Sequence, residues 1–132
     1  MILVDTSVWI MVLRDRNGKI VQTFIDRIKD DVTLLTRFTQ LELLQGAKDE
    51  SEWNKLDEYL STQYYLEATG STWKEAARIY FDLRRKGKTI NSPIDCCIAQ
   101  IAIESGAVLI HCDYDFTTIA NIRPLVSEYF EG

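Results

Sequence analysis

Four carboxylates stand where a side chain's chemistry matters more than its bulk. Asp5 closes the apolar run "MILVD", and Asp113 follows the apolar run "AVLIHC". Glu42 lies inside "TQLELLQGA" and Asp95 inside "SPIDCCIAQIAIESG". An ionised group is seldom fully buried unless it is paired or bound to a metal, because desolvation costs several kcal/mol or more. Asp5 therefore lies at a surface edge, caps the helix that follows, or is held at a site. A set of oxygen donors with no His or Cys among them suits Mg²⁺ or Mn²⁺. Such acids repel one another when brought together unless positive charge sits among them.

Each acid also has a purely structural reading. Thr39-Gln40-Leu41-Glu42 fits a helix capping box, and Ser92-Pro93-Ile94-Asp95 fits the same pattern with Asp in place of Glu. Acids near a helix N-terminus are mildly stabilising in any case. Taken singly, Glu42 and Asp95 read as caps. Taken together with Asp5 and Asp113, they read as a cluster, provided the fold brings all four to one edge.

The surrounding elements supply that edge. "MILV" is a continuous apolar strand of the kind found in parallel sheets, "VTLL" is a second, "YYL" a third and "AVLIHC" a fourth. A short helix runs to about Leu13, with Thr6 or Ser7 as its cap, and "RDRNG" makes a turn. "KIVQTFIDRIKD" places Ile20, Val21, Phe24, Ile25 and Ile28 at helical spacing. "TQLELLQGA", ending at Gly46, and "SEWNKLDEYLS" are the next helices. "STWKEAARIYFDLRRKG" is a long amphipathic helix beginning at Ser71 or Thr72, and Ser92 with Pro93 opens another that stops at Gly106. Strands alternating with helices predict an α/β fold: one domain over residues 1–132, with a mostly parallel central sheet flanked by helices. Binding crevices of open parallel sheets form beyond the carboxyl ends of the strands, where Asp5 and Asp113 emerge.

Composition narrows the function further. No apolar run approaches the length needed to span a bilayer, and no secretory leader is visible, which predicts a cytoplasmic protein without a membrane partner. Cys96, Cys97 and Cys112 form no CxxC and cannot all pair, so they read as small hydrophobes in a reducing compartment. Fifteen Lys and Arg against twenty Asp and Glu give a net charge of −5, which argues against a protein that simply coats nucleic acid. The one dense basic stretch is "RRKGK", which equally suits a solvated helix end. His111, alone at a strand end, is expected to be a hydrogen-bonded core or rim residue.

The segments "LVDTSVWI", "TQLELLQGA" with Glu42, "NSPIDCCIAQIA" with Asp95, and "VLIHCDYDFTTIA" occur in this order along nearly the whole chain. In this the sequence resembles PIN-domain ribonucleases, specifically VapC-type toxins of toxin–antitoxin pairs. The resemblance implies that Asp5, Glu42, Asp95 and Asp113 coordinate Mg²⁺ or Mn²⁺, with Asp115 as the alternative to Asp113. It implies hydrolysis of RNA phosphodiesters by metal-activated water, a VapB-type antitoxin partner and a homodimer. Position 111 departs from the small hydroxyl residue common in relatives. Arg84, Arg85, Lys86 and Lys88, with Arg14 and Arg37, are candidates to hold flanking phosphates. Trp9, Ile10 and Leu13 are candidate antitoxin contacts, though most of them are expected in the core.

Three other readings compete. A receiver-like phosphoacceptor domain has a similar size and an acidic Mg²⁺ pocket, but wants adjacent acids early in the chain and a late Lys. A catalytically inert PIN-like interaction module would keep the fold without the activity. A domain whose acids are only caps needs neither metal nor substrate.

Overall fold

A computed structural model describes residues 1–132. The first strand, β1 (Ile2–Val4), lies at the centre of a five-stranded sheet. The remaining strands are β2 (Thr33–Leu35), β3 (Tyr64–Tyr65), β4 (Val108–His111) and β5 (Ser127–Tyr129). Their order is β3-β2-β1-β4-β5, and every neighbouring pair is parallel. A receiver-type sheet runs 2-1-3-4-5, so the topology disagrees with the phosphoacceptor reading. The chain reverses its direction of winding between β1 and β4, the switch point at which crevices form in open α/β sheets.

Seven helices cover the sheet: α1 (Thr6–Leu13), α2 (Lys19–Ile28), α3 (Arg37–Gln45), α4 (Glu50–Ser61), α5 (Gly70–Arg85), α6 (Pro93–Ser105) and α7 (Tyr114–Ala120). Successive strand side chains point to opposite faces, and β1 shows the consequence. Ile2 and Val4 join a core with Val8, Trp9, Phe24, Leu43 and Leu60 from α1 to α4. Leu3 joins the other core, with residues of α5, α6 and α7 such as Ile79, Leu83, Ile98 and Phe116. Both faces of β1 are therefore buried, which is why "ILV" carries no polar alternation.

Helix ends follow side-chain chemistry, with corrections to the expected caps. Asp5, not Thr6 or Ser7, caps α1, and Thr36, not Thr39, caps α3. Glu42 is consequently well inside α3 and no part of a capping box. Ser92 caps α6 through the Ile94 N–H, Pro93 takes the first helical position, and Gly106 ends the helix with a left-handed φ of 69°. Thr69 caps α5 in a reciprocal box with Thr72, two residues before Ser71, the earlier of the expected starts. Two elements were not foreseen: α7, which begins inside "DYDF", and the edge strand β5.

Candidate active site

The paired register Val4↔Ile110 aligns the ends of β1 and β4, and the Asp5 N–H donates to the Ile110 carbonyl. Asp5 thus leaves the sheet beside the chain that leads to Asp113. Asp5 is only 5% exposed. Its Oδ2 accepts from the Ser7 N–H at 3.0 Å and from the Ser7 hydroxyl, which leaves Oδ1 available. Asp5 caps α1, one of the alternatives raised by the sequence, and lies close enough to Asp113 for their charges to interact.

Asp113 caps α7: its Oδ1 accepts from the Asp115 N–H at 2.9 Å. Asp115 points back to the loop before α6, where its Oδ2 accepts from the Asn91 N–H at 3.1 Å. Asp95 lies in the first turn of α6 and accepts no hydrogen bond from Ser92, so the expected capping box is only half formed. One carboxylate oxygen from each of Asp95, Asp113 and Asp115 lies within 4.8 Å of the others. Both residues between which the sequence left a choice, Asp113 and Asp115, lie in this group of carboxylates.

Glu42 approaches from α3. Its Oε1 is 3.0 Å from the Thr6 hydroxyl, which is itself 2.9 Å from the Thr39 hydroxyl. Thr6 and Thr39 are buried, so this threonine pair holds one Glu42 oxygen from inside the protein. The sequence marked Thr39 only as a helix cap, because its partner Thr6 is thirty-three positions away.

Burial and mutual repulsion set the electrostatics. Burial raises the Asp5 carboxyl above its ordinary range despite the Ser7 donors, and the Asp113 charge adds to the rise. Burial likewise raises Glu42, with Asp5 contributing. Asp95 is pushed up to about 7, first by burial and then by the charges of Asp5, Asp113, Asp115 and Glu42. No Lys or Arg forms an ion pair with any of these five acids. The donors are all oxygen, at least one oxygen of each carboxylate is uncommitted, and the negative charge has no counter-charge within the chain. That donor set fits a hard divalent cation.

His111 is buried behind the site, with Nδ1 accepting from the Asp113 N–H at 3.2 Å and its ring 5.1 Å from that of Phe116. Burial lowers its pKa, so the imidazole is a neutral strut, as the sequence suggested. Of the expected antitoxin contacts only Trp9 is buried; Ile10 and Leu13 are exposed, against the expectation that most would be core. With Leu56 and Tyr59 they line a cavity of about 650 Å³ that reaches Glu42. Arg14 lines the same cavity. Arg37 is engaged elsewhere, 3.1 Å from Glu67 and stacked over the Tyr65 ring.

The PIN domain family model matches residues 2–122. Ribonuclease VapC11 of Mycobacterium tuberculosis is 33% identical over 134 residues, covering 98% of this chain and 99% of that protein. The chain belongs to the PIN-domain family, in its VapC branch. VapC ribonuclease Mb1587 of Mycobacterium bovis matches to the same extent, 33% over 98% of this chain and 99% of its own. Among solved structures, VapBC2 of Rickettsia felis bound to a promoter DNA fragment superposes with a TM-score of 0.79 at 20% identity, over 99% of this chain and 100% of that one. VapBC-1 of nontypeable Haemophilus influenzae gives 0.79 at 19% identity, over 98% of both chains. These structures share the PIN fold and its parallel sheet. For the present PIN domain, the receiver-like alternative is set aside by family as well as by strand order.

Proposed function

We propose that this PIN domain is a metal-dependent endoribonuclease and the toxin of a toxin–antitoxin pair, acting in the cytoplasm to inhibit translation or growth. The reading rests on one observation above all: Asp95, Asp113 and Asp115 gather within 4.8 Å beyond the switch point of the sheet, near enough to Asp5 and Glu42 for the charges of the other four acids to raise Asp95, with no ion pair to a cation of the chain. In it Asp5, Asp95 and Asp113 hold Mg²⁺ or Mn²⁺, with Glu42 completing the catalytic set. Asp115 adds a fifth oxygen donor that the sequence ranked behind Asp113. When bound, the ion supplies a Lewis acid for a non-bridging phosphate oxygen and lowers the pKa of a water.

The chain's own residues do the rest. Ser7 fixes Asp5 through two donors, so the free Oδ1 keeps one direction. Thr6 does the same for Glu42, leaving Oε2 to accept a proton from the attacking water. Asp95, poised near neutrality, ionises fully when positive charge enters the site. In-line attack by water leaves a 5′-phosphate and a 3′-hydroxyl, with no part for the 2′-hydroxyl.

The VapC relatives are named as ribonucleases and the structural neighbours as VapBC complexes, which supports an RNA substrate and a VapB-type antitoxin. The exposed Ile10 and Leu13 beside Glu42 give such an antitoxin an apolar seat from which to block the site. A homodimer completes the proposed assembly. The test is Mn²⁺-dependent cleavage of total cellular RNA by the purified chain, with the end groups of the products determined. Cleavage that disappears in both Asp5→Asn and Asp95→Asn supports the reading. Cleavage surviving both substitutions rejects the site, and no cleavage by the unaltered chain leaves an inert PIN-like module.

A further inference from the structure

A second charge cluster lies away from the carboxylates. Arg78 from the middle of α5, Arg85 and Lys86 at its end and Arg123, beyond α7, line a shallow pocket of about 460 Å³. Four cations surround a single carboxylate, Asp82, in a chain whose net charge is −5. Asp82 takes Arg78 Nε at 2.9 Å on one oxygen and Arg123 Nη2 at 2.7 Å on the other. It therefore fixes two guanidinium planes; Arg123 is held further by Nη1, which donates to the Ile122 carbonyl at 3.1 Å, while the terminal nitrogens of Arg78 have no partner within the chain. Cations at a helix C-terminus complement the macrodipole, which accounts for Arg84 and Arg85. It does not account for Arg123, brought in from another element forty-one positions away.

An aromatic ring stands among these cations. Phe81 is 36% exposed, and its ring is within 4.8 Å of the Arg78 guanidinium carbon and within 5.7 and 5.9 Å of those of Arg85 and Arg84. A large apolar ring at the surface, ringed by guanidinium groups, combines the two contacts that single-stranded nucleic acid takes from sequence-tolerant binders: phosphate neutralisation and base stacking. The pocket is also placed for the carboxylate site. α7 begins at Asp113 and ends beside the pocket residue Asn121, a span of about 10 Å at 1.5 Å per residue.

We propose that the pocket formed by Arg78, Arg85, Lys86 and Arg123, together with the neighbouring exposed ring of Phe81, binds the backbone and a flanking base of single-stranded RNA and feeds the strand to the carboxylates. The choice of RNA rests on the ribonuclease reading above. The contact surface itself extends that reading, since Arg78, Phe81 and Arg123 belong to no part of the cleavage chemistry.

The test is fluorescence anisotropy of the full chain with a short fluorescein-labelled single-stranded RNA of mixed sequence, in EDTA so that nothing is cut, from about 50 to about 200 mM salt. Each phosphate contact to a single strand contributes about 0.7 to the slope of log affinity against log salt, so Arg85→Ala/Lys86→Ala should flatten it by about 1.4. Phe81→Ala should weaken binding by about five-fold or more with the slope unchanged, and Phe81→Tyr should restore it. Arg16→Ala/Lys19→Ala removes the same charge from an exposed loop and helix start, and should leave the slope alone. An equal flattening in that control pair, or none in Arg85→Ala/Lys86→Ala, overturns the proposal. So does equal loss of duplex DNA binding with no effect of Phe81→Ala, which marks a surface for duplex backbone. Because nothing here requires cleavage, RNA binding that obeys these rules in a chain without nuclease activity keeps the pocket and rejects only the ribonuclease reading.

Discussion

The carboxylates beyond β1 and β4 and the cations at the end of α5 are both like-charged clusters, and they differ in burial and in internal pairing. Asp82 ties two of the basic residues together: the Arg78 side chain remains largely in water at 62% exposure, while that of Arg123 is 24% exposed and paired. The acidic cluster has no internal counter-charge, and Asp5 is sealed from solvent. An exposed cluster can be screened by salt at little cost. A buried one must take up a proton or a metal ion. Burial and the missing counter-charge thus separate a cluster suited to a metal ion from one suited to docking a charged chain.

Asp95→Asn breaks that contrast most severely. It removes the carboxylate whose pKa rises furthest toward neutrality, so cleavage should fall by about a hundred-fold or more. The same change removes a repelled charge, so the metal-free protein should melt at a higher temperature than the unaltered chain. Loss of activity together with gain of metal-free stability marks a site held against its own repulsion. Loss of both would mean that Asp95 supports the fold.

Asp113→Asn and Asp115→Asn sharpen the division within the acidic cluster. Asn is as good an N-cap as Asp, so Asp113→Asn should keep α7 and lower cleavage by about ten-fold or more. Asp115→Asn alters the acceptor of the Asn91 N–H, which positions the loop before α6. It should lower cleavage less and melting temperature more. Activity assays and thermal melts on the pair decide which oxygen donor matters, and a reversed ranking would make Asp115 the principal fourth acid.

Metal and pH test the counter-charge directly. Asp95 holds its proton up to about 7 when folded, above its ordinary 3.8. Between those values the folded state binds more protons than the unfolded one, so stability of the metal-free protein should fall as pH rises from about 4 to about 7. Mn²⁺ needs ionised carboxylates, so it should raise the melting temperature at pH 8 and do little at pH 5. At a hundred times its dissociation constant the gain is about 2.7 kcal/mol. Melts in EDTA that do not depend on pH over this window would remove Asp95 from the cluster.

How much of this was legible in the sequence follows from how local each feature is. β1 and β4 were readable because strands buried on both faces are continuous apolar runs. β5, "SEY", is a polar edge strand, and α7 is seven residues long, so neither has a periodic pattern to detect. The caps of α1 and α3 were misplaced because Asp5, Thr6 and Ser7, like Thr36 and Thr39, all have suitable side chains, and only backbone geometry chooses between them. Asp5, Asp95 and Asp113 could be singled out because strand ends and a helix start gather at one edge of a parallel sheet, whereas Glu42, expected at the start of its helix, lies well inside α3. Asp115 joins them through Asn91, and Arg123 joins Asp82 across forty-one positions; neither contact has a local signature.

Thr6 gives the smallest and most specific test. Its hydroxyl is the link between the buried Thr39 and Glu42 Oε1, and no charge changes when it is removed. Thr6→Val keeps the shape but deprives both neighbours of a partner, which should cost about 1–2 kcal/mol of stability. If Glu42 must be held in one direction to take a proton, cleavage should also fall by about ten-fold, and Thr6→Ser should recover both. A Val variant that loses stability yet cuts RNA at the normal rate would show that Glu42 is placed by the α3 backbone alone. The acidic cluster would then owe its geometry to helix and strand ends, and the threonine pair would serve only to satisfy buried hydroxyls.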